Sequence, residues 1–170
     1  MRYPLVLIIA VLLLSFNSSR AQVPYLGSRI LYTDSVVLDT SYNIERLFHN
    51  AENWFLNHYE TADTKLTIDN RTTQQIAGVG VKSIPHGAGA PGRIFFQFII
   101  NVKHGSYTYA IDSMFTIGIE GRIYYSDIYQ EEHFAKGKKR WTDKYRSQAL
   151  TDMDTFIRGV VKLLEENMRK

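Results

Sequence analysis

An α+β architecture is predicted: an antiparallel sheet of five to six strands with two helices on one face. Two observations carry this. Between residues 64 and 125, runs of alternating apolar and polar residues follow one another with short turns between them. Sequential strands joined by tight turns form antiparallel meanders. On either side of that block, over 42–59 and from Trp141 to the end, apolar residues recur every three or four positions. That spacing is one face of an amphipathic helix. Composition sets the scale. The chain is 45% hydrophobic and 22% charged, without cysteine. It therefore rests on a core rather than on disulfides, and it lacks a thiol for catalysis, metal binding or a lipid anchor.

The amino terminus reads as a secretory signal peptide. Met1-Arg2 supplies positive charge, Leu5 to Leu14 is an unbroken apolar run, and Ser19-Arg20-Ala21 places small residues at a cleavage site. The run is half the ~20 residues that a spanning helix requires. Cleavage between Ala21 and Gln22 is expected, with a leader over 22–29 and one domain over 30–170. Without residues 1–21 the chain has 18 Lys and Arg against 17 Asp and Glu. The charge is uneven: residues 22–135 hold 8 basic and 12 acidic residues, and residues 136–170 hold 10 basic and 5 acidic.

The elements follow in order. The β-branched run over 30–38 predicts a first strand. Asp39-Thr40-Ser41 supplies cap chemistry for a helix over 42–59, with Ile44, Leu47, Phe48, Ala51, Phe55 and Tyr59 on its apolar face. Leu66 and Ile68 share a face of the second strand, before a turn at Asn70-Arg71-Thr72. On the third strand Ala77, Val79 and Val81 point one way and Gly78 and Gly80 the other. Glycines at every second position mark a face that another group approaches closely. Residues 83–92 form a loop. Ile94, Phe96, Phe98, Ile100 and Val102 then line one face of the most hydrophobic strand. A turn at 103–106 leads to a strand with Tyr107, Tyr109, Ile111 and Ser113 on one face. A further strand or edge hairpin is expected near 123–125. The last helix carries Trp141, Tyr145, Ala149, Met153, Phe156, Val160, Leu164 and Met168 on one stripe, with Gly159 as an imperfection costing about 1 kcal/mol against alanine.

This order, together with several local patterns, resembles a family of exported bacterial domains of unknown function with a TATA-binding-protein-like (TBP-like) fold. The matching pieces are the signal peptide, Trp54-Phe55-Leu56, Ile76-Ala77-Gly78-Val79-Gly80, Gly105-Ser106-Tyr107-Thr108-Tyr109, and Trp141 opening a long basic helix. The resemblance implies that fold and export, and supplies no activity, cofactor or partner. The fold name describes shape and carries no claim of DNA binding.

Motifs of catalysis are missing. No Ser lies in a Gly-x-Ser-x-Gly or Ser-x-x-Lys pattern. His49, His58, His86, His104 and His133 are scattered, with no pair at the spacing of a zinc-binding helix. Glu131-Glu132-His133 are adjacent and diverge. Asp112 and Asp127, on neighbouring strand regions, would form a hydrolytic pair only across a cleft. No metal site, catalytic residue or cofactor is assigned, and the chain is not expected to be an enzyme. The loop His86-Gly87-Ala88-Gly89-Ala90-Pro91-Gly92 lacks the ending of a P-loop, and Pro91 removes a donor. Its residues His86, Gly87, Gly89 and Gly92 form a candidate recognition loop. Lys136, Lys138, Lys139, Arg140, Lys144 and Arg146 form a candidate interaction surface, against the alternative of a solvated helix face. Export argues against a nucleic-acid partner. The expected role is a non-catalytic, periplasmic binding module for an envelope protein. The alternatives are a carrier holding a small hydrophobic molecule between sheet and last helix, and an enzyme of unknown type.

Overall fold

A computed structural model of the chain describes residues 23–59, 65–83, 92–118, 121–133 and 140–170. The expected signal peptide with its Ala21–Gln22 cleavage point lies outside the described residues. So do His86, Gly87 and Gly89 of the loop and Lys136, Lys138 and Lys139 of the basic segment.

A two-stranded hairpin of β1 (Tyr25–Leu26) and β2 (Arg29–Ile30) leads into a six-stranded antiparallel sheet. Its strands are β3 (Tyr32–Val37), β4 (Lys65–Asn70), β5 (Gln75–Ser83), β6 (Arg93–Lys103), β7 (Ser106–Gly118) and β8 (Gly121–Tyr124). They run in the order β3-β7-β6-β5-β4, and β8 also pairs with β7. Helix α1 (Ile44–Tyr59) follows β3, and α2 (Tyr125–His133) and α3 (Asp143–Met168) close the chain. The α+β architecture is as expected, with three helices among the described residues in place of two. Residues 125–133 are helical because Tyr125 and Ile128, one turn apart, both enter the core.

The core lies between one face of the sheet and the three helices. Ile94, Phe96, Phe98, Ile100 and Val102 are all buried there, as their alternation predicts. Against them pack Leu47, Phe48, Ala51, Trp54 and Phe55 of α1, and Met153, Ile157, Val160 and Leu164 of α3. Each of the larger aliphatic and aromatic side chains among them contributes about 1.5–3 kcal/mol on leaving water. Gly80 pairs with Phe96 across β5 and β6. A Cβ on Gly80 would lie 2.3 Å from the Phe96 ring, so this is the close approach that the alternating glycines mark.

Local irregularities correct three expectations. The cap of α1 is Asn43, whose side chain accepts from the Arg46 N–H at 2.8 Å. Asp39 instead accepts from the Ser41 N–H at 2.8 Å, which holds its carboxyl below the usual carboxylate range. Leu66 and Ile68 do not share a face, because the β4–β5 register shifts between them. Leu66 packs on the core and Ile68 is exposed. Ser113 does not continue the face of Tyr107, Tyr109 and Ile111. It has φ 52° and sits where the β6–β7 register slips, with Gln97 opposite Asp112 but Phe95 opposite Phe115. This bulge reverses the alternation. Met114 turns into the core, and Phe115 turns to the face away from the helices.

Candidate functional site

The second face of the sheet is built by the residues that the core does not use. On β6 these are Phe95, Gln97, Ile99 and Asn101, and pairing brings matching rows from the other strands. Asn101 accepts from the Gln75 side chain at 2.8 Å and lies 3.4 Å from the Thr108 hydroxyl, making a polar ladder at one end. In the middle Ile99 is 42% exposed. At the other end Val81, Phe95, Phe115 and Tyr124 lie side by side across β5, β6, β7 and β8.

That end is aromatic and cationic. The Phe95 and Phe115 rings stack with centroids 4.8 Å apart and planes 5° apart. Tyr124 lies 5.6 Å from Phe115. The Arg93 guanidinium sits 5.3 Å over Phe95 and that of Arg122 sits 4.7 Å over Phe115. A guanidinium over a ring is held by cation–π attraction, and an arginine can in addition offer a bidentate fork to a carboxylate. Arg122 has no carboxylate partner among the described residues. Ile117, two residues on from Phe115, is 61% exposed. Aromatic rings, arginines and exposed isoleucines on one face are the composition of an interface core.

The basic segment is distributed differently from the expectation. Arg140 and Lys144 are exposed, with Arg140 5.0 Å over the Trp141 ring. Arg146 is fully buried and is therefore withdrawn from the interaction surface. Its guanidinium binds Glu132 at 2.7 Å, Glu131 at 3.3 Å, Asp143 and the Trp141 carbonyl. It ties α2 to the first turn of α3. Trp141 and Tyr145 are half-buried against the core, and Thr142, whose side chain accepts from the Tyr145 N–H, caps α3. Gly92 immediately precedes β6.

A polar cluster that the sequence did not announce joins β3 to α3. The Tyr32 hydroxyl donates to the buried Asp154 carboxylate at 2.6 Å, and Arg158 Nε donates to its other oxygen at 2.9 Å. Burial, then the hydrogen bond to Asp154, pushes the Tyr32 phenol well above its ordinary range. The signal available was the Asp154–Arg158 spacing of four on a helix. Asp112 and Asp127 do not form a pair: Asp112 bonds Arg29 at 3.3 Å, and Asp127 lies on α2 rather than on a strand. His49 meets Glu52 at 3.8 Å and His58 lies 3.4 Å from Asn167, at separate places on α1. Among the described residues no three His, Asp or Glu side chains converge to hold a metal ion.

The layer between sheet and helices is filled with rings. Trp54 and Phe98 have centroids 5.2 Å apart, Phe55 and Phe98 5.3 Å, and Tyr59 and Phe96 5.3 Å. Edge-to-face and tilted ring packing at these distances leaves no room for a ligand within that cluster.

Comparison with known proteins agrees with this architecture. The chain is similar to a TBP-like protein from Parabacteroides distasonis ATCC 8503, with TM-score 0.70 and 11% identity, covering 87% of this chain and 97% of that one. It is also similar to a DUF4468 family protein from Bacteroides ovatus ATCC 8483, with TM-score 0.60 and 14% identity, covering 85% of this chain and 90% of that one. Among curated proteins no relative is found. Residues 32–115 match the family described as domain of unknown function (DUF4468) with TBP-like fold. The antiparallel sheet and its helices agree with that match over residues 32–115.

Proposed function

We propose that this chain is an exported, non-catalytic binding module of the cell envelope, periplasmic, that docks an acidic and apolar surface of another envelope protein onto the open face of its sheet. The observation that carries the reading is the Phe95–Phe115 stack flanked by Arg93 and Arg122. Both rings are only 7% exposed, so the accessible surface is that of the arginine side chains and of exposed Ile99 and Ile117, on the face opposite the helices. The anatomy of residues 1–21 supports export. No helix among the described residues is long and apolar enough to cross a membrane.

Two measurements test the reading. A photo-cross-linking residue at position 99, in cells making the protein, is expected to give one discrete adduct that disappears with Arg122→Glu. The same probe at exposed Gln148 on α3 is expected to give none. Equal cross-linking from both faces would refute docking on the sheet. Sequencing the amino terminus of envelope-derived protein is expected to start at Gln22. A chain beginning at Met1 in the cytoplasmic fraction would refute export.

A further inference from the structure

Strand β3 forms one margin of the six-stranded sheet, beside β7. The Leu38 N–H donates to the Gly105 carbonyl at 2.7 Å, and the β3–β7 register continues through Val36–Tyr107, Asp34–Tyr109 and Tyr32–Ile111. Hydrogen-bonded pairs alternate along an antiparallel ladder. The backbone N–H and C=O of Thr33, Ser35 and Val37 therefore point away from β7. All three residues are exposed, Val37 to 80%. The chain already pairs along this margin once. The β1 hairpin lies on it, and the Leu31 N–H donates to the Pro24 carbonyl at 3.0 Å. Beyond Leu31 no strand lies beside it among the described residues.

The same margin has a pocket beneath it. A groove of about 290 Å³ lies between Tyr32 and Tyr109, on the helix-facing side of the sheet, and Arg158, Val161, Lys162 and Glu165 of α3. That is just under the about 300–1,000 Å³ of small-molecule sites, and it suits one long side chain. A free row of backbone groups beside a side-chain pocket is how a sheet edge takes up an extended peptide: main-chain bonds hold it, and the pocket selects the residue.

Charge selects that residue. Arg158 donates to Asp154 at 2.9 Å and Lys162 lies 4.0 Å from Glu166, so both cations of the groove have anionic partners. Asp34 and Glu165 have no cation at ion-pair distance among the described residues. Both bear on Tyr109, whose phenol pKa is raised by burial first, then by Asp34 and by Glu165. Arg169 acts on Tyr107, two residues back along β7, and not on Tyr109. The Asp34 carboxylate also accepts from the Ser35 N–H at 2.7 Å, which closes the middle of the margin until a strand displaces it. A second copy paired about Ser35 would set Asp34 against Val36 and leave both carboxylates unpaired. A basic strand would pair them.

We propose that the margin of β3 takes up an extended basic segment of another protein as a further antiparallel strand, with one lysine or arginine side chain in the groove between Asp34 and Glu165. The margin is distinct from the sheet face of Phe95, Phe115 and Arg122. The test is titration of the purified protein with the blocked peptide acetyl-Thr-Val-Thr-Lys-Thr-amide, followed by backbone amide signals. The peptide lysine falls opposite Asp34 when the middle threonine pairs with Ser35. Saturable one-to-one binding is expected, with the amides of Thr33, Ser35 and Val37 shifting and exchanging more slowly while those of Ile99 and Arg122 stay in place. A peptide with glutamate for lysine is expected to bind far more weakly. So is one N-methylated at the middle threonine, which lacks the donor to Ser35. Glu165→Gln is expected to weaken binding about threefold, the scale of a part-exposed ion pair. The proposal is overturned if the peptide does not saturate, if either altered peptide or the Glu165→Gln protein binds as tightly as the parent pair, or if the shifts fall on the sheet face. Concentration-dependent dimerisation of the protein alone, protecting the same three amides, would assign the margin to a second copy and overturn it equally.

Discussion

Replacing Gly80 with alanine adds one methyl group at the tightest point of the core. The new carbon would stand 2.3, 2.7 and 2.9 Å from three carbons of the Phe96 ring, against roughly 3.5–4.0 Å for a relaxed carbon pair. The ring has nowhere to retreat. It is fully buried, with Tyr59 5.3 Å away edge-on, Phe156 5.7 Å away and Phe98 6.4 Å away. Overpacking of this kind costs about 1–3 kcal/mol. Alanine recovers about 0.5–1 kcal/mol through the lower entropy of the unfolded strand. The net expectation is a loss of roughly 1–2 kcal/mol, or a Tm lower by about 2–8 °C for a domain of this size. Urea unfolding followed by near-ultraviolet circular dichroism reads this as a lower midpoint at unchanged slope. Adding Phe96→Leu is expected to make the two costs non-additive, because the clash then has no ring to meet. A Gly80→Ala protein as stable as its parent would refute the close-approach reading.

Three further outcomes follow from the same physics. Gly159→Ala, the same chemical change in open space, is expected to raise stability by about 1 kcal/mol and Tm by roughly 2–4 °C in a thermal scan; a fall would show hidden crowding. Arg146→Met removes the cation that holds Glu131, Glu132 and Asp143 together. Hydrogen exchange is expected to accelerate in α2 while β6 stays protected, and uniform acceleration would refute a local tie. Burial raises the phenol pKa of Tyr32, Tyr59, Tyr107 and Tyr125 in the folded state. The stability this carries is complete below the unfolded phenol pKa of about 10 and is lost as pH rises above it. Tm is thus expected to fall as pH rises above 10, less steeply in Tyr107→Phe, and an unchanged slope would refute the linkage.

The elements with long, regular periods were legible in the sequence. The five inward residues of β6 and the stripe of α3 are where alternation and helical spacing place them. Features made by one residue were not. Nothing about a lone serine announces the left-handed backbone at Ser113, yet that residue decides which face Phe115 takes, and so whether the aromatic row exists. Helix α2 has only two buried residues in nine, too few to show a period. Arg146 looked like a member of a basic patch because its acidic partners Glu131 and Glu132 lie 15 and 14 residues away. Pairing at that range is fixed by packing rather than by local spacing.

Strand β3 is made early and satisfied late. Its ladder partner β7 begins at Ser106, and the carboxylate that receives the Tyr32 hydroxyl lies 122 residues further along the chain. Contacts at such range must close long loops before they are rewarded, which makes folding slow and cooperative. A chain that stops short of α3 leaves the wall of Trp54, Phe96 and Phe98 uncovered, and such intermediates aggregate. The last helix thus acts as a completion check: until it is present, one wall of the core is missing and the strands already made cannot be held.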